Sequence, residues 1–290
     1  MYLGSILFFL LFFLALPVHS AFEDVDLGAR SLGMGSASVS LSDDAGGIFW
    51  NPASIAGLNS HELSMSYMEL YSLVSYSAIG YVQRIGGLPF GIGLKSSSDT
   101  DGIYRETELI LSSAYNITSR LSSGANIKYL SSAASVGNII IGKGAGLAMD
   151  FGFRYIPPWD ILSLDASFQN LPGYVSYNRK KYLSYPGDGY SQMPGISYKV
   201  GSCIYLNRLF PAAEGAILAI QLSDGNLCTG AEYGFRNFAF VRSGLRFGNA
   251  LNRALTVGLG IRLHSIRLDY AYVGSDVGAQ TSQFSVSLRW

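Results

Sequence analysis

Only 14% of the 290 residues are charged, and 20 basic side chains balance 20 acidic ones, which excludes the basic surface that nucleic-acid binding requires. Hydrophobic residues make up 49%, yet after residue 20 no apolar run reaches the ~18 residues of a spanning helix. Hydrophobicity spread thin, with 19 Tyr and 34 Gly, fits a membrane β-barrel better than a helical membrane protein.

The chain begins with MYLGSILFFLLFFLALPVHS, residues 1–20. Ile6 to Leu16 form a short apolar core, Pro17 breaks it, and Val18-His19-Ser20 precede the expected cut. This reads as a secretory signal with a mature start at Ala21, although no Lys or Arg precedes the core.

Residues 21–60 do not alternate in polarity and are dense in Gly, Ala and Ser. Asp43-Asp44 before Ala45-Gly46-Gly47 is a turn signal. Asn51 and Pro52 read as the N-cap and first-turn proline of a short helix that Gly57 ends. Phe22, Met34, Ile48, Phe49, Trp50 and Ile55 are too apolar for a solvated tail. A barrel of about 14 strands is too wide for wall side chains alone to fill, so this segment is expected as a hatch in the lumen.

From residue 61 to 290 the sequence falls into alternating segments, the outer-membrane barrel domain. Strands are expected near 63–70, 73–85, 89–96, 103–115, 121–131, 144–156, 161–169, 195–207, 214–222, 226–235, 238–247, 253–263, 266–274 and 281–290. In RALTVGLGIRL, for example, Leu255, Val257, Leu259, Ile261 and Leu263 share one face against Thr256, Gly258, Gly260 and Arg262. The fold class is therefore all-β, a transmembrane antiparallel barrel with an even strand number. Tight connections at 86–87, 116–120, 157–160, 236–237 and 264–265 read as periplasmic turns. Those at 97–102, 132–143, 170–194, 248–252 and 275–280 read as mostly longer external loops. The longest, 170–194, carries five tyrosines and Arg179-Lys180-Lys181, a candidate external docking surface or entry lid. Aromatic residues at strand ends, Trp290 among them, fit interfacial girdles.

Inward parity gathers charges on the last strands: Glu232, Arg242, Arg246, Arg262, Arg267, Asp269 and Arg289. These must pair with one another, with the hatch or with water, and Asp43 and Asp44 are natural partners for the arginines. Cys203 and Cys228 fall on the same parity with one strand between them, ~10 Å apart and beyond disulfide reach, which predicts free thiols. The mature histidines are His61 and His264, and no His, Cys and carboxylate cluster has metal spacing. The expectation is a protein without enzyme activity, cofactor or metal.

GARSLGMGSASVSLSDDAGGIFWNPASI, residues 28–55, resembles the N-terminal signature of the PorV/PorQ branch of the FadL-like outer-membrane barrels: Gly-Ala-Arg, Gly-Met-Gly, a paired-Asp turn, then Asn-Pro-Ala. GAEYGF at 230–235, RSGLRFG at 242–248 and LDYAYV at 268–273 resemble that branch's last strands. The resemblance implies a 14-stranded barrel in the cell outer membrane with the N-terminal segment as hatch. By position it makes Asn51, Pro52 and Ala53 the hatch motif, Gly33 and Gly35 its close-packed turn, and Asp43 and Asp44 its acidic turn. It further implies that Ala21 and Phe22 help line a lumen pocket. The chain is shorter than typical relatives, with smaller external loops.

Three functions follow as expectations. The first is passive uptake of a hydrophobic small-molecule ligand past the hatch. The second is a PorV/PorQ-like role in type IX-like secretion, binding secreted-protein partners, with Tyr182 in the external connection as a cross-linking point. The third is a structural barrel with a permanently plugged lumen. Outer-membrane lipid is a partner in each.

Overall fold

A computed structural model describes residues 21–22, 25–41, 44–137, 139–180, 187–248, 253–275 and 280–290. The expected signal at 1–20, Asp43 and Tyr182 lie outside the described residues. The strands are β1 (Glu62–Leu70), β2 (Val74–Ile85), β3 (Leu88–Asp99), β4 (Tyr104–Asn116), β5 (Leu121–Val136), β6 (Ile139–Tyr155), β7 (Leu162–Gln169) and β8 (Gly173–Arg179). They continue as β9 (Gly189–Gln192), β10 (Ser197–Tyr205), β11 (Ala216–Ser223), β12 (Asn226–Phe235), β13 (Ala239–Phe247), β14 (Ala254–Leu263), β15 (Ile266–Ser275) and β16 (Gln280–Arg289).

Every neighbour pair is antiparallel, β1 pairs with β16 from Glu62↔Arg289 to Leu70↔Thr281, and β5 pairs with β6, so the sheet closes on itself. β8 continues the line of β7, since both lie against β6, and β9 leads into β10. Sixteen segments with two such joins make a barrel of 14 strands. The fourteen expected strands all form.

The alternation in sequence becomes two faces. Along β14, Leu255, Val257, Leu259, Ile261 and Leu263 lie outside and exposed, while Thr256 is fully buried inside. This apolar outer belt meets lipid, and the ladder leaves no edge to be desolvated. Exposed Trp159, Phe210, Phe235 and Trp290 ring the end where β1 starts, and Tyr67, Tyr71 and Tyr174 lie toward the other. Trp290 stacks on His61, ring centroids 5.9 Å apart, and on Tyr81 at 6.1 Å.

Two expected external loops are largely strand in their described residues. Through the 132–143 connection, β5 and β6 stay paired out to Val136↔Ile139, with Gly137 in a turn. Most of the described part of 170–194 is wall: β8 pairs with β6 from Gly173↔Ala148 to Arg179↔Gly142, and β9 with β8. Among its described tyrosines, Tyr177 stacks on Tyr190 at 4.9 Å.

Residues 25–58 fill the inside. The short helix Ala29–Gly33 lies against β13, β14, β15 and β16, whereas the 3-10 turn Pro52–Gly57 lies against β3, β4, β5 and β6, on the opposite wall. Leu27, Leu32, Ile48, Phe49, Trp50 and Ile55 are buried with wall residues such as Met68, Val82 and Ile110 in one apolar core. The core of this protein is thus a segment wrapped by its own barrel.

Candidate functional site: a seam in the wall covered by residues 21 and 22

Small residues let the inner segment approach the wall backbone. Gly35 has φ +68, and a Cβ there would lie 2.5 Å from the Thr229 carbonyl and 2.9 Å from the Leu245 nitrogen. Opposite it, a Cβ on Gly244 would overlap the Gly35 nitrogen and one on Gly230 the Met34 carbonyl. Gly33 meets the Cα of Gly258 in the same way. Thr256 clamps the turn, donating from Oγ1 to the Gly33 carbonyl (3.0 Å) and accepting from the Gly35 N–H (2.9 Å).

The Asn51, Pro52 and Ala53 motif sits at the other wall. Asn51 Oδ1 accepts from Ala53 N–H at 3.0 Å, the expected cap, though the turn it starts is 3-10 rather than α. Asn51 Nδ2 donates to the Phe153 carbonyl (3.2 Å) and to Asp165 Oδ1 (3.3 Å). A Cβ on Gly124 would overlap the Pro52 carbonyl group, and one on Gly152 would overlap Asn51 Oδ1.

Charged residues tie segment to wall. Arg30 donates to Glu232 from Nε (2.9 Å) and Nη2 (2.7 Å). Arg242 donates to Glu232 (2.6 Å) and pairs with Asp269 (2.8 Å), and Arg267 pairs with Asp269 (2.9 Å) and Glu232 (3.5 Å). Arg242, Arg262 and Arg267 all lie over the Phe240 ring at 5.0–5.5 Å. Arg246 donates to Ser36 Oγ and lies 3.9 Å from Asp26, and Arg289 pairs with Glu62 at 2.7 Å at the rim. These charges thus gather inside, among the described residues. Glu232, Asp269 and Asp26 hold these arginines, while Asp44 accepts from Gly46 N–H at 2.8 Å and shapes its own turn.

Sequence reasoning missed a second polar array on β3 to β6. Lys95 pairs with Glu108 (2.5 Å), and Lys128 pairs with Asp150 (2.8 Å) and lies 3.9 Å from Glu108. Asp150 also accepts from Asn126 Nδ2 and from Asn170 N–H, each at 2.8 Å. Lys95 is half-buried and the other side chains are buried, and inward parity on their strands was the signal available.

That array ends at an interruption of the wall. The ladder between β7 and β10 stops at Gln169↔Ser197, and the one between β8 and β9 starts at Val175↔Gln192. Between them, residues 170–174 and 193–196 face each other without ladder pairing, although β6 still bonds the first side through Leu171 N–H to the Met149 carbonyl (2.8 Å). Unpaired backbone groups cost several kcal/mol each in hydrocarbon. Here the start of the described chain serves them. Gly195 N–H donates to the Ala21 carbonyl at 3.3 Å, and Asn170 Nδ2 donates to the Gly195 carbonyl (2.6 Å) and the Phe22 carbonyl (3.5 Å). The Phe22 ring is buried among Leu130, Ala148, Val175 and Tyr177, and Phe22 N–H donates to Glu106 at 3.1 Å. On the lipid side the seam is apolar, with Leu171, Tyr174, Met193 and Ile196 exposed.

The spaces beside the segment are small. One cavity of about 10 Å³ lies between Phe22, Val25, Phe49, Lys128 and Asn170, and another of about 40 Å³ between Leu27, Arg30, Trp50 and Ser285. Neither holds more than one or two waters. Phe22 lines the first of these cavities.

No protein-family model matches the chain, and no curated protein matches its sequence. Solved structures do. The toluene transporter TbuX of Ralstonia pickettii superposes with a TM-score of 0.64 at 14% identity, covering 93% of this chain and all of that one. The toluene transporter TodX of P. putida gives 0.64 at 13% identity, over 92% and 99%. A Pseudomonas aeruginosa FadL homologue gives 0.64 at 11%, over 92% and 98%. At these identities the likeness is one of fold: the chain has the closed 14-stranded antiparallel barrel of the FadL-like transporters.

Proposed function

We propose that the protein sits in a cell outer membrane, delivered there by the 1–20 signal, and passes hydrophobic small molecules passively. The interrupted ladder between Gln169↔Ser197 and Val175↔Gln192, covered by Ala21 and Phe22, carries this reading. Residues 29–58 are held by interlocking backbone and by ion pairs, so they are the fixed part of the hatch. The chain start is held by a few hydrogen bonds and one aromatic ring, and its withdrawal opens a route between the lumen and the apolar seam. The solved neighbours named as toluene transporters support an apolar cargo.

The test is uptake of a radiolabelled monoaromatic or long-chain apolar compound by Gram-negative cells lacking their own hydrophobic channel. Expression should raise uptake, and Phe22→Ala should raise it further by removing the ring that fills the seam. No gain over empty vector would remove the transport reading. It would favour the second one, a permanently plugged structural barrel, for which the small size of the internal cavities speaks. Within the FadL-like barrels, the Gly28 to Ile55 motif supports the PorV/PorQ branch.

A further inference from the structure

Among the described residues, Phe49 is the one that lines both of the small spaces beside the inner segment. The first, of about 10 Å³, meets the seam through Phe22 and Asn170. The second, of about 40 Å³, lies toward the mouth where β1 starts and β16 ends. There Ser64 and Ser66 of β1 face Ser287 and Ser285 of β16 across the ladder that closes the barrel. Ser64, Ser66 and Ser287 line the inside yet are only half-buried, so solvent reaches this space from that mouth.

The Phe49 backbone is pinned. Its N–H donates to the Gly46 carbonyl at 3.0 Å, and its carbonyl accepts from Gln169 Nε2 at 2.9 Å. Its ring, in contrast, rests on bare wall backbone. Gly80 and Gly93 pair directly across β2 and β3 beneath it. A Cβ on Gly80 would stand 3.1 Å from ring Cε2, and one on Gly93 3.1 Å from Cε1. No side chain from these two positions locks the ring, so it can turn between staggered rotamers while the backbone stays in place.

We propose that Phe49 is the gate between the two spaces. A molecule admitted at the seam leaves toward the mouth where β1 starts by turning this ring aside, and the ring sets the size that passes. The inference rests on the transport reading and supplies its inner half. The space that opens is the one the Phe49 ring itself fills, so it suits a neutral compound no wider than a benzene ring. Charged cargo is disfavoured, because it would have to break the buried pairing of Lys128 with Asp150 and Glu108 around the first space.

The test reads the partition first. Ile110 lines the space at the seam and is 2% exposed. In a chain carrying Ile110→Cys, Cys203→Ala and Cys228→Ala, refolded in lipid vesicles, methyl methanethiosulfonate should modify the introduced thiol. The reaction should run about tenfold faster with Phe49→Ala than with Phe49 in place, since local opening then needs no ring movement. Equal rates would overturn the proposal. If Phe49→Ala does not migrate as a folded barrel, Phe49→Leu keeps apolar bulk, removes the ring and carries the comparison. A faster reaction is expected there too, and an unchanged rate would overturn the proposal.

Uptake then tests passage. In cells lacking their own hydrophobic channel, Phe49→Ala should raise uptake of a labelled bicyclic aromatic hydrocarbon about tenfold relative to a monocyclic one. An unchanged ratio beside faster labelling would also overturn the proposal, because cargo would then bypass the ring. A wild type that takes up neither compound sinks the transport reading, while faster labelling with Phe49→Ala would still uphold Phe49 as the partition.

Discussion

Arg30 of the inner helix grips Glu232 of the wall through two hydrogen bonds, 2.9 Å from Nε and 2.7 Å from Nη2. Glu232 is shared with Arg242 and Arg267, so one carboxylate serves three guanidiniums. Glu232→Ala removes the carboxylate these cations share, leaving Asp269 to Arg242 and Arg267, and should cost about 3–5 kcal/mol, the penalty for breaking a buried pair. Arg30→Ala removes a single cation and should cost less. Urea midpoints of the refolded barrel in lipid vesicles give the ranking, and the reverse order would contradict the network.

Wall glycines packed on the inner segment should be intolerant, and one with room for a Cβ should not. A Cβ on Gly244 overlaps the Gly35 nitrogen, whereas one on Gly142 finds its nearest atom at 3.7 Å. Gly244→Ala should lose about 1–3 kcal/mol by overpacking, and Gly142→Ala should stay close to the wild type by the same urea titration.

The outer face makes a separate prediction. Leu259, midway along β14, is 61% exposed and points to lipid. Leu259→Arg should destabilise the folded barrel by about 2–4 kcal/mol in vesicles, the cost of a cation at mid-bilayer. In a soluble protein an exposed position would tolerate the change within about 0.5 kcal/mol.

Cys203 and Cys228 are free and buried, packed with Met34, Ala37 and Leu41. They stand on β10 and β12 with β11 between, as their parity implied. A maleimide should therefore label neither in the folded protein and both after unfolding. A chain lacking residues 21–58 should label quickly while folded, because the covering segment is gone.

Much of this was legible in the chain. Period-two alternation gave each strand and its lipid face, because a barrel wall meets two different surroundings along its whole length. The burial of Phe22, Met34, Ile48, Trp50 and Ile55 followed from composition alone. Partner choice inside was not legible. That Arg30 meets Glu232 depends on a contact 202 positions away in sequence. Residues 170–194 were misread for a local reason: Pro172, Gly173, Gly189 and Pro194 are turn formers, and only the extra length of β6 shows that strand pairing resumes past them. Asn170, which joins both sides of the seam, carries no periodic signal.

Transport through the seam is tested most directly by closing it. Asn170 reaches the Gly195 carbonyl at 2.6 Å, so an Asn170→Cys, Gly195→Cys pair, in a chain with Cys203→Ala and Cys228→Ala, places two thiols across the interruption. Uptake of the labelled apolar compound should fall to the empty-vector level when the pair is oxidised and recover on reduction. Uptake unchanged by oxidation, with the cross-link confirmed by mass, would contradict passage through the seam.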